Sequence, residues 1–189
     1  MVFDGHKPGG HYVADPTVGN PKRFQIPRQY VPANLGKRLY VFYEVTPPGE
    51  DVYKSRRFDL HIRDMVSGWP TVQIISPPSP SNIVSLKTVT DAVTFRLRSW
   101  TFMAEGQRVR ITATGVLQAG GQETFDLRKG DAEVLSRDEY YAGEIEAKLP
   151  RAFLATLSLN RQFDVAVTIS FDGGETYKQF PRISPQLIE

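Results

Sequence analysis

The sequence contains no cysteine. That excludes a disulfide framework and thiolate metal sites, while leaving the compartment open. Histidine is scarce too: His6, His11 and His61 are the only three, and none stands at a helical ligand spacing. His6 and His11 lie near Asp4 and Asp15 in a glycine-rich loop, a spacing too nonspecific to define a metal site. No nucleophile elbow, Ser-His-Asp order or phosphate loop is present. The expectation is no catalytic residue, no metal and no cofactor.

An excess of charge of one sign is also missing. The chain has 23 Lys and Arg against 21 Asp and Glu. Residues 1–70 carry 10 basic and 7 acidic side chains, and residues 71–189 carry 13 and 14. Nothing here argues for nucleic acid or an anionic membrane as partner. No stretch approaches the ~18 apolar residues of a membrane span. MVFDGHKPGG lacks a basic region followed by an apolar run, so it does not read as a signal peptide.

What is present is a long internal similarity. Leu149–Lys178 matches Ile26–Lys54. Pro27-Arg28 aligns with Pro150-Arg151 at a shift of 123. Leu35, Val41, Gly49, Tyr53 and Lys54 align with Leu159, Val165, Gly173, Tyr177 and Lys178 at a shift of 124. Solenoid repeats are ~20–50 residues long, so a period of this size is that of a domain.

Around that pattern lie short alternating strands. Leu39, Val41, Tyr43 and Val45 alternate with Tyr40, Phe42 and Glu44, and the first set is expected to face inward. Val52–Ile62 reads as the next strand. Further strands are expected at Thr71–Ile75, Ala92–Arg98, Gln107–Thr112, Gln122–Arg128, Glu144–Leu149, Phe163–Phe171 and Tyr177–Ile183. Pro27–Leu35 and Pro150–Leu159 read as helical corners, because proline suits the first helical position. Ser136 and Glu139 have capping-box spacing, which predicts a helical turn over Arg137–Tyr141. Short strands with little helix predict an all-β sandwich.

This arrangement resembles the immunoglobulin-like domains found in tandem in large bacterial surface and secreted proteins. The strand order, the Pro-Arg corner and the FDGG turn carry the resemblance. The repeat alignment gives an incomplete first unit over residues 1–66, a linker at Asp64–Pro70 and a complete unit over residues 71–189. The resemblance implies a noncatalytic structural or adhesive role, a surface or secreted location, and a protein partner or neighbouring repeat. The first unit lacks counterparts of the two leading strands. Three accounts fit: a piece of a longer repeat chain, strands donated by a neighbouring molecule in a homo-oligomer, or a degenerate cap on the second unit.

Tyr40 and Phe42 are the candidate binding residues. They stand on the expected outward face where the second unit has Asp164 and Ala166, and they suit a partner chain, a sugar or an intramolecular contact. A carbohydrate-binding accessory domain is therefore the alternative. Ser170–Tyr177 also resembles the Asp-box turn of sialidase propellers. The plainer reading is a hairpin turn in which Asp172 accepts backbone bonds. For the arginines on outward faces, cross-strand pairing is expected: Arg96 and Arg98 with Glu144 and Glu146, and Arg108 or Arg110 with Asp164. Such carboxylates stay ionised and are unsuited to acid catalysis.

Overall fold

The computed structural model describes residues 1–17, 20–79 and 81–189. It is all-β, with strands in several sheets and only short helical turns. The strands of the first part are β1 (Val2–Asp4), β2 (Tyr12–Val13), β3 (Pro16–Thr17), β4 (Asn20–Phe24), β5 (Arg38–Phe42), β6 (Glu44–Val45), β7 (Tyr53–Lys54) and β8 (Phe58–His61). Then come β9 (Gln73–Ser76), β10 (Ile83–Ser85), β11 (Ala92–Arg98), β12 (Arg108–Val116), β13 (Gln122–Arg128), β14 (Glu144–Pro150), β15 (Asp164–Ser170), β16 (Lys178–Gln179) and β17 (Gln186–Ile188). The helical pieces are α1 (Arg137–Ala142), α2 (Arg151–Leu154) and two 3₁₀ turns, Arg28–Tyr30 and Pro32–Asn34. Among the described residues no helix is long and apolar enough to cross a membrane. The chain divides into two compact units: Met1–Ser67 with Phe171–Thr176, and Gly68–Ser170 with Tyr177–Glu189.

The larger unit has sheets ordered β14-β11-β9 and β13-β12-β15-β16. Strict alternation gives each sheet one apolar face. Val93, Phe95 and Leu97 of β11 are buried with Ile145, Ala147 and Leu149 of β14. Val109, Ile111 and Ala113 of β12 are buried with Val165, Val167 and Ile169 of β15. Burying each large side chain contributes about 1.5–3 kcal/mol. The opposite faces are polar; Thr114 and Thr124, for example, share a hydrogen bond between their hydroxyls at 2.8 Å. The expected capping box forms at α1, and Gly143 ends that helix at φ 68°.

One pairing in this unit was not legible in the sequence. β10 pairs with β17 in parallel, with Ile83 opposite Gln186, Val84 opposite Leu187 and Ser85 opposite Ile188. Both strands are three residues long, too short to show a period of two.

Among the described residues the smaller unit has one four-stranded sheet, β2-β1-β5-β8, and two ribbons, β3-β4 and β6-β7. Asn34 holds its loops. The side chain accepts the His6 N–H at 2.7 Å and donates to the Gly10 carbonyl at 3.0 Å and the Tyr30 carbonyl at 2.8 Å. The loop can wrap it so closely because Gly5 and Gly10 have no side chain. A Cβ on Gly5 would lie 2.2 Å from the Gly10 oxygen.

Several local geometries recur at the shift seen in the sequence. Pro27 has φ −60° and ψ 141°, and Pro150 has φ −62° and ψ 141°. Gly36 at φ 75° matches Asn160 at φ 59°, and Gly49 at 80° matches Gly173 at 70°. Ile62 N–H donates to the Lys37 carbonyl and Gly36 N–H to the Ile62 carbonyl; Leu187 N–H donates to the Arg161 carbonyl and Asn160 N–H to the Leu187 carbonyl. The strand pairings match as well: β7 pairs with β6 as β16 pairs with β15, and β8 pairs with β5 where Ile183 and Gln186 bridge Val165 and Gln162.

Candidate functional site

The candidate residues lie on the hairpin formed by β5-β6 and β7-β8. Val41 faces Phe58 and Arg38 faces His61, while Glu44 faces Lys54 and Val45 faces Tyr53. The register therefore shifts by one residue between the two ladders, a bulge at Ser55–Arg57. The hydroxyl of Ser55 fills it, accepting the Tyr43 N–H at 2.9 Å.

This bulge corrects the expected exposure of the candidate pair. Tyr40 is 46% exposed, as an outward residue should be, but Phe42 is only 6% exposed. The Arg57 guanidinium lies 5.3 Å from the Tyr40 ring centroid and 5.8 Å from that of Phe42, and Lys54 Nζ lies 5.6 Å from Phe42. The cationic side chains thus roof Phe42 and leave Tyr40 open on one side. The opposite face is corrected too. Leu39 is buried as expected, but Tyr43 and Val45 are exposed, as are Tyr53 and Phe58. The hairpin beyond Phe42 outruns β1, which reaches only from Val2 opposite Phe42 to Asp4 opposite Tyr40.

The outer edge of β8 is open. Its one strand neighbour among the described residues is β5. Because Ile62 bonds toward β5, the two-residue alternation turns Leu60 and Phe58 the same way and aims the Asp59 and His61 amides outward. At the matching edge of the larger unit these positions are filled. Gln186 N–H donates to the Asn82 carbonyl at 2.9 Å, and Leu86 N–H donates to the Ile188 carbonyl at 3.0 Å.

Charged side chains cluster in both units. In the smaller unit Asp172 is buried and accepts the Thr176 N–H at 2.8 Å and the Thr176 hydroxyl. Lys37 Nζ lies 3.6 Å and His6 Nε2 3.5 Å from its Oδ2, and His6 Nε2 lies 2.8 Å from Glu175. The expected turn role of Asp172 is present, with a charge cluster added that no spacing in the sequence announces. His11 Nδ1 instead faces Asp4 at 3.3 Å, so His6 and His11 do not converge. Among the described residues no group of three or more histidines or carboxylates could hold a metal ion.

In the larger unit Arg96 meets both Glu146 at 2.7 Å and Glu144 at 3.4 Å, as expected, while Arg98, although opposite Glu144, forms no ion pair among the described residues. The hydrogen bond to Glu146 pushes the Arg96 pKa up. The other arginine expectation fails. Arg108 and Arg110 meet Asp131, at 2.9 and 3.7 Å, and Asp164 meets Arg182 at 3.2 Å. The register explains it: Arg108 stands opposite Ser170, while Asp164 stands opposite Thr114 at the far end of β12. Hydrogen bonds from Tyr177 and Arg108 hold the Asp131 carboxyl below its usual value.

Comparison with protein-family models and with curated proteins finds no match.

Proposed function

We propose that this chain is a noncatalytic structural and interaction module of a larger surface or secreted repeat protein. In this reading its larger unit is an immunoglobulin-like β-sandwich and its smaller unit the back half of another. The observation that carries it is the parallel pairing of β10 with β17. In strand order the larger unit reads as A-B-E and C′-C-F-G sheets, with a leading segment laid parallel to the last strand, which suits that architecture. A pull along the chain axis of this unit loads the β10–β17 hydrogen bonds together, in shear, which suits a spacer under tension. The ion pairs on its outer faces, Arg96 with Glu146 and Arg108 with Asp131, fit a solvated scaffold.

Single-molecule force measurements on the full chain test this. Tethers at Gly68 and Glu189 load the parallel pair in shear. Tethers at Gly68 and Gly120 load the β12–β13 hairpin tip and peel its strands. The expected unfolding force is about twofold or more higher in the first geometry, because shear loads several bonds of ~1 kcal/mol at once. Equal forces would remove the support for a tension-bearing role.

Exposed Tyr40 with Arg57 over its ring favours a second reading, a carbohydrate-binding accessory domain. Glycan-array binding that disappears in Tyr40→Ser would establish it at the expense of the first.

A further inference from the structure

We propose that the open edge of β8 docks an extended strand in which apolar residues alternate with aspartate or glutamate. This deepens the interaction-module reading and rests on it.

The backbone supplies the first argument. The outward amides of Asp59 and His61 make no hydrogen bond among the described residues, and a sheet edge in that state is a template for another strand. The larger unit shows what such an edge takes. At the matching strand a segment runs parallel, receiving a bond from Gln186 and donating one to Ile188.

The side chains fix the chemistry of the occupant. Phe58 is 65% exposed on one face of β8, beside Leu60 and in line with exposed Tyr43, Val45 and Tyr53 across the hairpin. Arg57, lying over Tyr40 and Phe42, belongs to the other face, and exposed Arg63 follows two residues beyond the end of β8. Tyr53–Arg63 contains Lys54, Arg56, Arg57 and Arg63 against Asp59 alone. Lys54 is paired with Glu44, and Asp59 with Arg38, each at 3.0 Å. Arg56, Arg57 and Arg63 have no carboxylate partner among the described residues. A docked strand therefore presents apolar groups to Phe58 and acidic groups to Arg57 and Arg63. Charge complementarity selects the acidic sequence, while the edge amides supply register.

The test uses the full chain and three short fluorescent peptides: alternating Val and Glu, alternating Val and Lys, and the Val-Glu peptide interrupted by prolines. Fluorescence anisotropy is expected to show saturable binding of the uninterrupted Val-Glu peptide alone, weakening as salt rises. Arg57→Glu with Arg63→Glu is expected to reduce its affinity about tenfold or more. Should that pair disturb folding, Arg63→Glu alone reverses an exposed charge and is expected to weaken binding in the same direction. Equal binding of the Val-Lys peptide, binding of the proline-interrupted peptide, or no binding at all would overturn the proposal. So would self-association of the chain that blocks the edge at assay concentration. The force comparison between the two tether geometries involves neither Arg57 nor β8, so docking can fail while the module reading stands.

Discussion

Val45 and Ile169 stand at matching points of two hairpin strands, 124 residues apart, yet Ile169 is fully buried and Val45 is 59% exposed. The difference lies in what covers each position, because both side chains are β-branched and apolar. Truncation should reveal it. Ile169→Ala is expected to cost about 2–5 kcal/mol and Val45→Ala to stay within about 0.5 kcal/mol, read from urea midpoints of the full chain.

Tyr40 and Phe42 should part company in the same way. Phe42→Ala removes a buried ring and is expected to cost about 3–5 kcal/mol, while Tyr40→Ser costs less than about 1 kcal/mol. Near-equal losses in a denaturation series would mean that Arg57 and Lys54 do not roof Phe42 as described.

Asn34 is expected to be the least replaceable polar residue of the smaller unit. Asn34→Ala strands the His6 N–H and the Gly10 and Tyr30 carbonyls, each costing about 1–3 kcal/mol where it stays buried. Gly5→Ala should be damaging for a steric reason, since its Cβ meets the Gly10 oxygen. Limited proteolysis of the Gly5–Gly10 loop checks both: cleavage should speed up in each variant.

Acid should weaken the larger unit through Glu139. Burial pushes its carboxyl up, but hydrogen bonds from Arg128 and the Ser136 N–H, with the Arg128 charge, outweigh burial and leave the pKa lowered. A carboxyl lowered on folding contributes stability above its unfolded value of ~4.3 and loses it as pH falls through the lower folded value. The urea midpoint of the wild type should therefore fall toward that of Glu139→Gln as pH drops below ~4. A gap between the two that is independent of pH would contradict this.

Long alternating strands were legible in the sequence because burial on one face writes a period of two. Ala92–Arg98 and Gln122–Arg128 occur with the expected bounds, and the Ser136 capping box and the Pro-Arg corners announce themselves by residue type. Three features were not legible. The β10–β17 pair is too short to carry a period. The Ser55–Arg57 bulge shifts the ladder by one residue and changes which side chains of the hairpin are covered. Asn34 reads as an ordinary corner residue until Gly5 and Gly10 are brought around it. A glycine pair twenty-odd residues upstream was the available signal, and it does not name its partner.

The central claim is that the outer edge of β8 in the smaller unit is open, while the corresponding edge in the larger unit is filled by the segment that carries β10. Amide hydrogen exchange on the full chain at low concentration, resolved by residue, tests it most directly. The Leu60 and Ile62 amides should be protected and those of Asp59 and His61 should exchange freely, while Gln186 and Leu86 at the filled edge are slow. Asp59 and His61 protected as strongly as Leu60 would contradict the open edge.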